Sequence, residues 1–239
     1  MRSYSITHPP GRVSLPTEAG WDQLVFAHAG LFTAHTPSRT WAIPAHRALC
    51  VPDGTRVRIE TTRRAAIRCL YLAVDLRAID TETHVVGLDP LLRELVEFAV
   101  ARAPMTLDDP ADAALITLLA ARLAAEPHAP LHLPLPTDDD ARRVARAIYS
   151  NPALPLAAHE GTARMSRRSL ERRFMAETHM SLGQWRRRAR IIAAVLMLAD
   201  GDTVTRAAVK VGYATPSSFV VAFRSELDAT PREFMRPSR

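Results

Sequence analysis

Nine arginines crowd the 27 residues from Arg164 to Arg190: Arg164, Arg167, Arg168, Arg172 and Arg173, then Arg186, Arg187, Arg188 and Arg190. Only Glu171 and Glu177 supply the opposite charge there. A face that merely needs solvation accepts both signs, so this imbalance points to a polyanion. Guanidinium suits that role because its planar fork reads guanine edges or clamps phosphate, and Glu171 could accept from cytosine N4. The nearby aromatics, Phe174 and Trp185, recur as apolar positions in a second copy of the segment. They read as core and not as base-stacking platforms, which argues against a single-stranded target.

Other reactive side chains are sparse. His28, His35 and His46 stand seven and eleven residues apart, and there is no His-x-His pair. A metal site needs three or four converging ligands, so neither a metal nor another cofactor is expected, and no catalytic residue is assigned. His159 and Glu160 are adjacent but lack partners close by in sequence, and are expected on the surface. Cys50 and Cys69 form neither a disulfide framework nor a zinc motif, and are expected to be buried, reduced thiols.

The elements that must position the arginines can be read from charge and punctuation. Residues 1–137 hold 13 Arg against 14 Asp and Glu, whereas residues 138–239 hold 17 Arg and one Lys against 11 acids. A near-neutral half is therefore joined to a half of net charge +7. Four prolines at 127, 130, 134 and 136, followed by three aspartates, mark the division, and predict an extended linker over 127–137 ended by an N-cap. No stretch approaches the length of a membrane span and the N-terminus has no apolar signal core, so a soluble, cytoplasmic protein without a membrane partner is expected.

Before the linker, strands are predicted at 24–29, 31–36, 39–43, 48–51, 56–60 and 67–74, indicating a small antiparallel barrel or sandwich. Asp89-Pro90 and Asp109-Pro110 then open helices at about 88–103 and 109–126, the first with Leu88, Leu91, Leu92, Leu95 and Ala99 on one stripe. That stripe must pack on the sheets or meet a second copy of the chain. The expected organisation is an α+β chain with a regulatory or dimerisation domain at 1–126 and an all-helical domain at 138–239.

The helical half repeats at an offset of 49 residues: Leu170 meets Phe219, Phe174 meets Phe223, Glu177 meets Glu226 and Trp185 meets Phe234, with Ser181 meeting Pro231 within one position. In the second copy a short helix with Val204, Ala207, Ala208 and Val211 ends at Gly212, and another starts near Thr215-Pro216. Short helix, glycine turn, second helix is the helix-turn-helix layout, whose second helix lies in the DNA major groove. Between the copies, 181–200 reads as one continuous helix of about 30 Å, close to the roughly 34 Å between successive major grooves on one DNA face.

The stretch 138–236 resembles the two-headed DNA-binding domain of AraC/XylS-type transcriptional regulators, and 203–234 (TVTRAAVKVGYATPSSFVVAFRSELDATPREF) resembles that family's signature segment. The first 75 residues are similar, more weakly, to the cupin-like regulatory barrel that many members carry, through Trp41-Ala42-Ile43-Pro44 and the Pro52-Asp53-Gly54 turn. The resemblance implies a sequence-specific regulator of double-stranded DNA. It also implies control by a small-molecule effector or a homodimer through the barrel, with RNA polymerase as a further partner. Carried over position by position, the base-facing residues fall on Arg168, Glu171 and Arg172, with Arg167 alongside, and on Ser217, Ser218 and Val221. His28, His35 and Trp41 are the candidate effector contacts. The sequence departs from the family where its first turn usually has glycine: Arg164 stands there, and a left-handed non-glycine residue would cost about 1 kcal/mol. Gly161 within a helix would cost about as much again. Two other readings remain: a metal-dependent cupin enzyme fused to a DNA-binding domain, and an effector-independent DNA binder.

Overall fold

A computed structural model describes residues 1–235; positions 236–239, the end of the segment expected to run to 239, lie outside them. The chain divides into two compact units, one formed by Met1–Thr36 and Ile43–Pro130, the other by Pro37–Ala42 and Leu131–Met235. Antiparallel sheets come first and helices after, the α+β class expected.

The strands of the first part are β1 (Arg2–His8), β2 (Gly11–Ser14), β3 (Trp21–Ala29), β4 (Leu31–His35), β5 (Arg39–Pro44), β6 (Arg47–Val51), β7 (Arg58–Thr61), β8 (Ala65–Ala73) and β9 (His84–Gly87). One antiparallel sheet has the order β1-β8-β3-β6-β9; β7 pairs with both β2 and β4 in a second set. Strand β3 is buried from Asp22 to Ala27, the mark of a central strand covered on both faces. Its Leu24 and Phe26 meet α1 (Pro90–Arg102) and α2 (Pro110–Ala125) in one core with Leu92, Val96, Ile116 and Leu119. Asp89 caps α1, accepting from Leu92 N, and Asp109 caps α2, accepting from Ala111 N and Asp112 N. A last-turn residue of α2, Arg122, also reaches Asp89 at 2.6 Å, locking the two helices together. Leu91 does not join the buried stripe: it is exposed, as is Phe98. Cys50 and Cys69 are buried in this unit, and burial pushes the Cys69 thiol up to about 12.

In the second unit the proline-rich stretch is not wholly a linker. Residues His132–Pro134 form strand β10, antiparallel to Trp41, Thr40 and Arg39 of β5. Proline tolerates this place because a short edge strand need not donate at every residue. The helices are α3 (Asp139–Ser150), α4 (Leu156–Glu160), α5 (Arg167–Thr178), α6 (Leu182–Ala199), α7 (Val204–Lys210), α8 (Pro216–Leu227) and α9 (Pro231–Phe234). Asp138 caps α3. A core of Leu133, Val144, Ile148, Leu170, Phe174, Trp185 and Ile192 joins β10, α3, α5 and α6, and Trp185 Nε1 donates to Pro134 O at 2.6 Å.

Candidate nucleic-acid interface

The two heads are built on one plan. Helix α5 starts at 167 and ends at 178; α8 starts at 216 and ends at 227, so the offset of 49 holds at both ends. Ser166 Oγ accepts from Ser169 N at 3.3 Å, and Thr215 Oγ1 accepts from Ser218 N at 3.2 Å, each satisfying an amide that the helix start leaves open. Leu170, Phe174 and Thr178 are buried in one head, and Phe219, Phe223 and Leu227 in the other. Both helices stop on a left-handed residue, His179 at φ 57° and Asp228 at φ 53°. Each is followed by a capping box, Ser181 with Gln184 and Thr230 with Glu233. The partner of Ser181 is thus Thr230 and not Pro231.

Burial of one stripe turns the opposite one outward. On α5 that outward stripe carries Arg167, Arg168 and Arg172, all exposed. On α8 it carries Ser217, Ser218 and Val221, with Val221 71% exposed. Ser218 Oγ also donates to Thr215 O at 2.9 Å, so its hydroxyl serves the cap. Glu171 is half-buried, and Oε2 accepts from Leu182 N at 3.1 Å. It therefore tethers the start of α6, a use that its spacing did not announce. Glu177 does the same for α3, accepting from Thr137 N at 2.6 Å and Asp138 N at 3.0 Å.

The arginine cluster splits in two. Arg164, Arg167, Arg168, Arg172 and Arg173 are exposed, although Arg173 Nε lies 3.6 Å from Asp138. The four on α6, expected to meet a polyanion with the rest, have partners within the protein, and of the four Arg187 alone is exposed. Arg186 Nη2 donates to Leu154 O at 2.5 Å, Arg188 Nε to His132 O at 3.0 Å and Arg190 Nε to Pro152 O at 2.9 Å. Arg187 Nε pairs with Glu226 at 2.9 Å. Burial pulls the guanidinium pKa of Arg186, Arg188 and Arg190 below the ordinary value. Their carbonyl partners lie tens of residues away, beyond the reach of any local spacing argument.

The expected strain in the first turn is absent. Arg164 is not among the described residues of positive φ, and Gly161 closes α4 in the right-handed helical region at φ −62°, ψ −12°. Only the second turn needs glycine, because Gly212 has φ +85° and a Cβ there would meet Ala153 Cα at 2.8 Å. His159, expected on the surface, is 3% exposed; burial lowers its pKa, with the charge of Arg186 acting the same way. The side chain of Glu160 lies outside the described ones.

The candidate effector contacts are scattered. His28 Nδ1 lies 2.7 Å from Glu97 on α1, a carboxylate that Arg68 also approaches at 2.7 Å. His35 Nε2 lies 3.4 Å from Glu60 on β7, and burial lowers its pKa. Trp41 is buried and belongs to the second unit. Among the described residues, no group of three or more His, Cys, Asp or Glu side chains could hold a metal ion, and no helix is long and apolar enough to cross a membrane.

Comparison with known proteins adds to this picture. A family described as a helix-turn-helix domain matches residues 161–237. The HTH-type transcriptional regulator NimR of Escherichia coli K12 is 28% identical over 215 residues, 89% of this chain and 79% of that protein. The HTH-type transcriptional regulator RipA of Corynebacterium glutamicum is 37% identical over 103 residues, 42% of this chain and 31% of that protein. Among solved structures, ToxT from Vibrio cholerae aligns over 98% of this chain and 95% of its own, with 12% identity and a TM-score of 0.41.

Proposed function

We propose that the chain is an AraC/XylS-type transcriptional regulator and that α5 and α8 are its two reading helices on double-stranded DNA. One observation carries the assignment: two 12-residue helices with matching caps and matching buried faces leave two stripes in solvent, one of them arginine-rich. Helix α6, at 18 residues, is about 27 Å long. It suits heads that enter successive major grooves about 34 Å apart.

In this reading Arg168 and Arg172 read base edges from α5 while Arg167 holds phosphate. On α8 Ser217 and Ser218 offer hydroxyls, and Val221 an apolar contact for a thymine methyl. Glu171 acts mainly as a positioning residue, holding α6 against α5. The first unit senses a small molecule or joins a second copy, for which exposed Leu91 and Phe98 offer apolar surface. The chain acts in the cytoplasm by binding and not by catalysis.

The test is selection from a random DNA pool with purified protein, followed by titration at several salt concentrations. A bipartite site should emerge, bound about 10³-fold or more tightly than random DNA. The log–log salt slope should be about −0.9 per phosphate neutralised. Equal affinity for all sequences would support a non-specific DNA binder instead, and a flat salt response would remove DNA as the partner.

A further inference from the structure

One guanidinium bridges the second head and the approach to the first. Arg190, near the middle of α6, donates from Nε to Pro152 O at 2.9 Å and from Nη2 to Ala153 O at 3.3 Å, gripping the residues that lead into α4. Its other side lies over the ring of Tyr213, 5.4 Å from the centroid. Tyr213 belongs to the turn of the second head, and its ring packs edge-on against Phe219, on the buried face of α8, at 5.5 Å. Beside it, Gly212 leaves no room for a side chain: a Cβ would come within 2.7 Å of Arg190 Nη2 and 2.8 Å of Ala153 O. Arg186, one turn earlier, holds the next carbonyl, Leu154 O, and Arg187 holds Glu226 of α8.

A helix alone fixes the separation of its two ends but not the rotation of what is attached to them. The fork of Arg190 adds that second restraint, because a planar group bonded to two carbonyls and stacked on a ring has little freedom to turn. We propose that Arg190, with Tyr213 and the side-chain-free Gly212, is the positioning element that sets the rotational register of α8 relative to α5. It thereby makes the protein specific for one spacing between the two halves of its DNA site. The inference rests on the reading that both helices contact DNA.

The experiment uses the full chain and the bipartite site it selects, together with versions carrying one or two base pairs inserted between the halves. Each inserted pair moves one half by about 3.4 Å and turns it by about 35°. Dissociation constants are measured by fluorescence anisotropy for the unaltered protein, Arg190→Ala, Arg190→Lys and Tyr213→Leu. The unaltered protein should bind the one-pair insertion about 30-fold or more weakly. In Arg190→Ala and Tyr213→Leu that ratio should fall by about fivefold or more, because both sites then pay for a loose second head. Arg190→Lys, which keeps the charge and loses the fork, should behave like alanine, and it carries the comparison if Arg190→Ala fails to give a cooperative thermal transition. An unchanged ratio in the folded variants overturns the inference. If scrambling one half of the site leaves affinity unaltered, the two-headed reading itself fails, and that result is separate from the first.

Discussion

The two heads share a frame and differ in what they present. Caps, buried residues, left-handed terminators and capping boxes recur 49 residues apart, from Ser166 and Thr215 to Trp185 and Phe234. The outward stripes share nothing comparable: arginines at 167, 168 and 172 stand where the other head has Pro216, Ser217 and Val221. The frame is constrained by burial and by backbone amides that must find partners, while the outward stripes are free of both constraints. His159 breaks the symmetry in the other direction. The offset pairs it with Ala208, so a buried imidazole in one head faces a buried methyl in the other.

The largest effects should show how alike the frames are. Phe174→Ala and Phe223→Ala each remove a fully buried ring and should each cost about 3–5 kcal/mol in thermal or denaturant unfolding; a much smaller loss for one would mark that head as loosely packed. Next comes the difference in surface. Arg168→Ala and Arg172→Ala should each lose about 1–3 kcal/mol of discrimination at one or two base pairs, read by titrating single-substituted sites, whereas Ser217→Ala should lose less. A loss uniform over all sequences would assign the arginines to phosphate.

Removing the caps should restore the likeness at a lower magnitude. Ser166→Ala and Thr215→Ala should each destabilise by about 1 kcal/mol. The last prediction is confined to acid. The folded pKa of His159 lies below its ordinary 6.5, so the unfolded chain takes up the proton first, and stability falls as pH drops through 6.5 and levels off below the folded value. His159→Ala should flatten that part of the pH profile of the melting temperature; a profile identical to that of the unaltered protein would show that His159 does not titrate in the transition.

What could be read in advance was local. Asp89-Pro90, Asp109-Pro110 and Thr215-Pro216 announced their helices because N-cap and N1 chemistry is contained in two adjacent residues. The repeat made α5 legible from α8. Features set by contacts distant in sequence stayed hidden. Arg186, Arg188 and Arg190 looked like the arginines of α5, and burial and the carbonyls of 132, 152, 153 and 154 distinguish them. His159 sits on a helix of five residues, too short for a stripe to declare itself. Strand β1 does alternate, with Tyr4 and Ile6 between Ser3, Ser5 and Thr7, but two apolar positions make a short signal, and β10 lies among prolines that hide its period.

Strand β10 has a consequence for how this protein can be taken apart or recombined. Its partner residues, 39–41, come from the early part of the chain and fold with the helical unit. A fragment begun at Asp138 would forfeit Leu133 from the core, the Pro134 carbonyl that receives the Trp185 indole, and the strand beside them. No single junction in the gene therefore yields both units whole. Grafting this DNA-binding unit onto a foreign sensor would require two crossovers, or a sensor that brings a strand of its own.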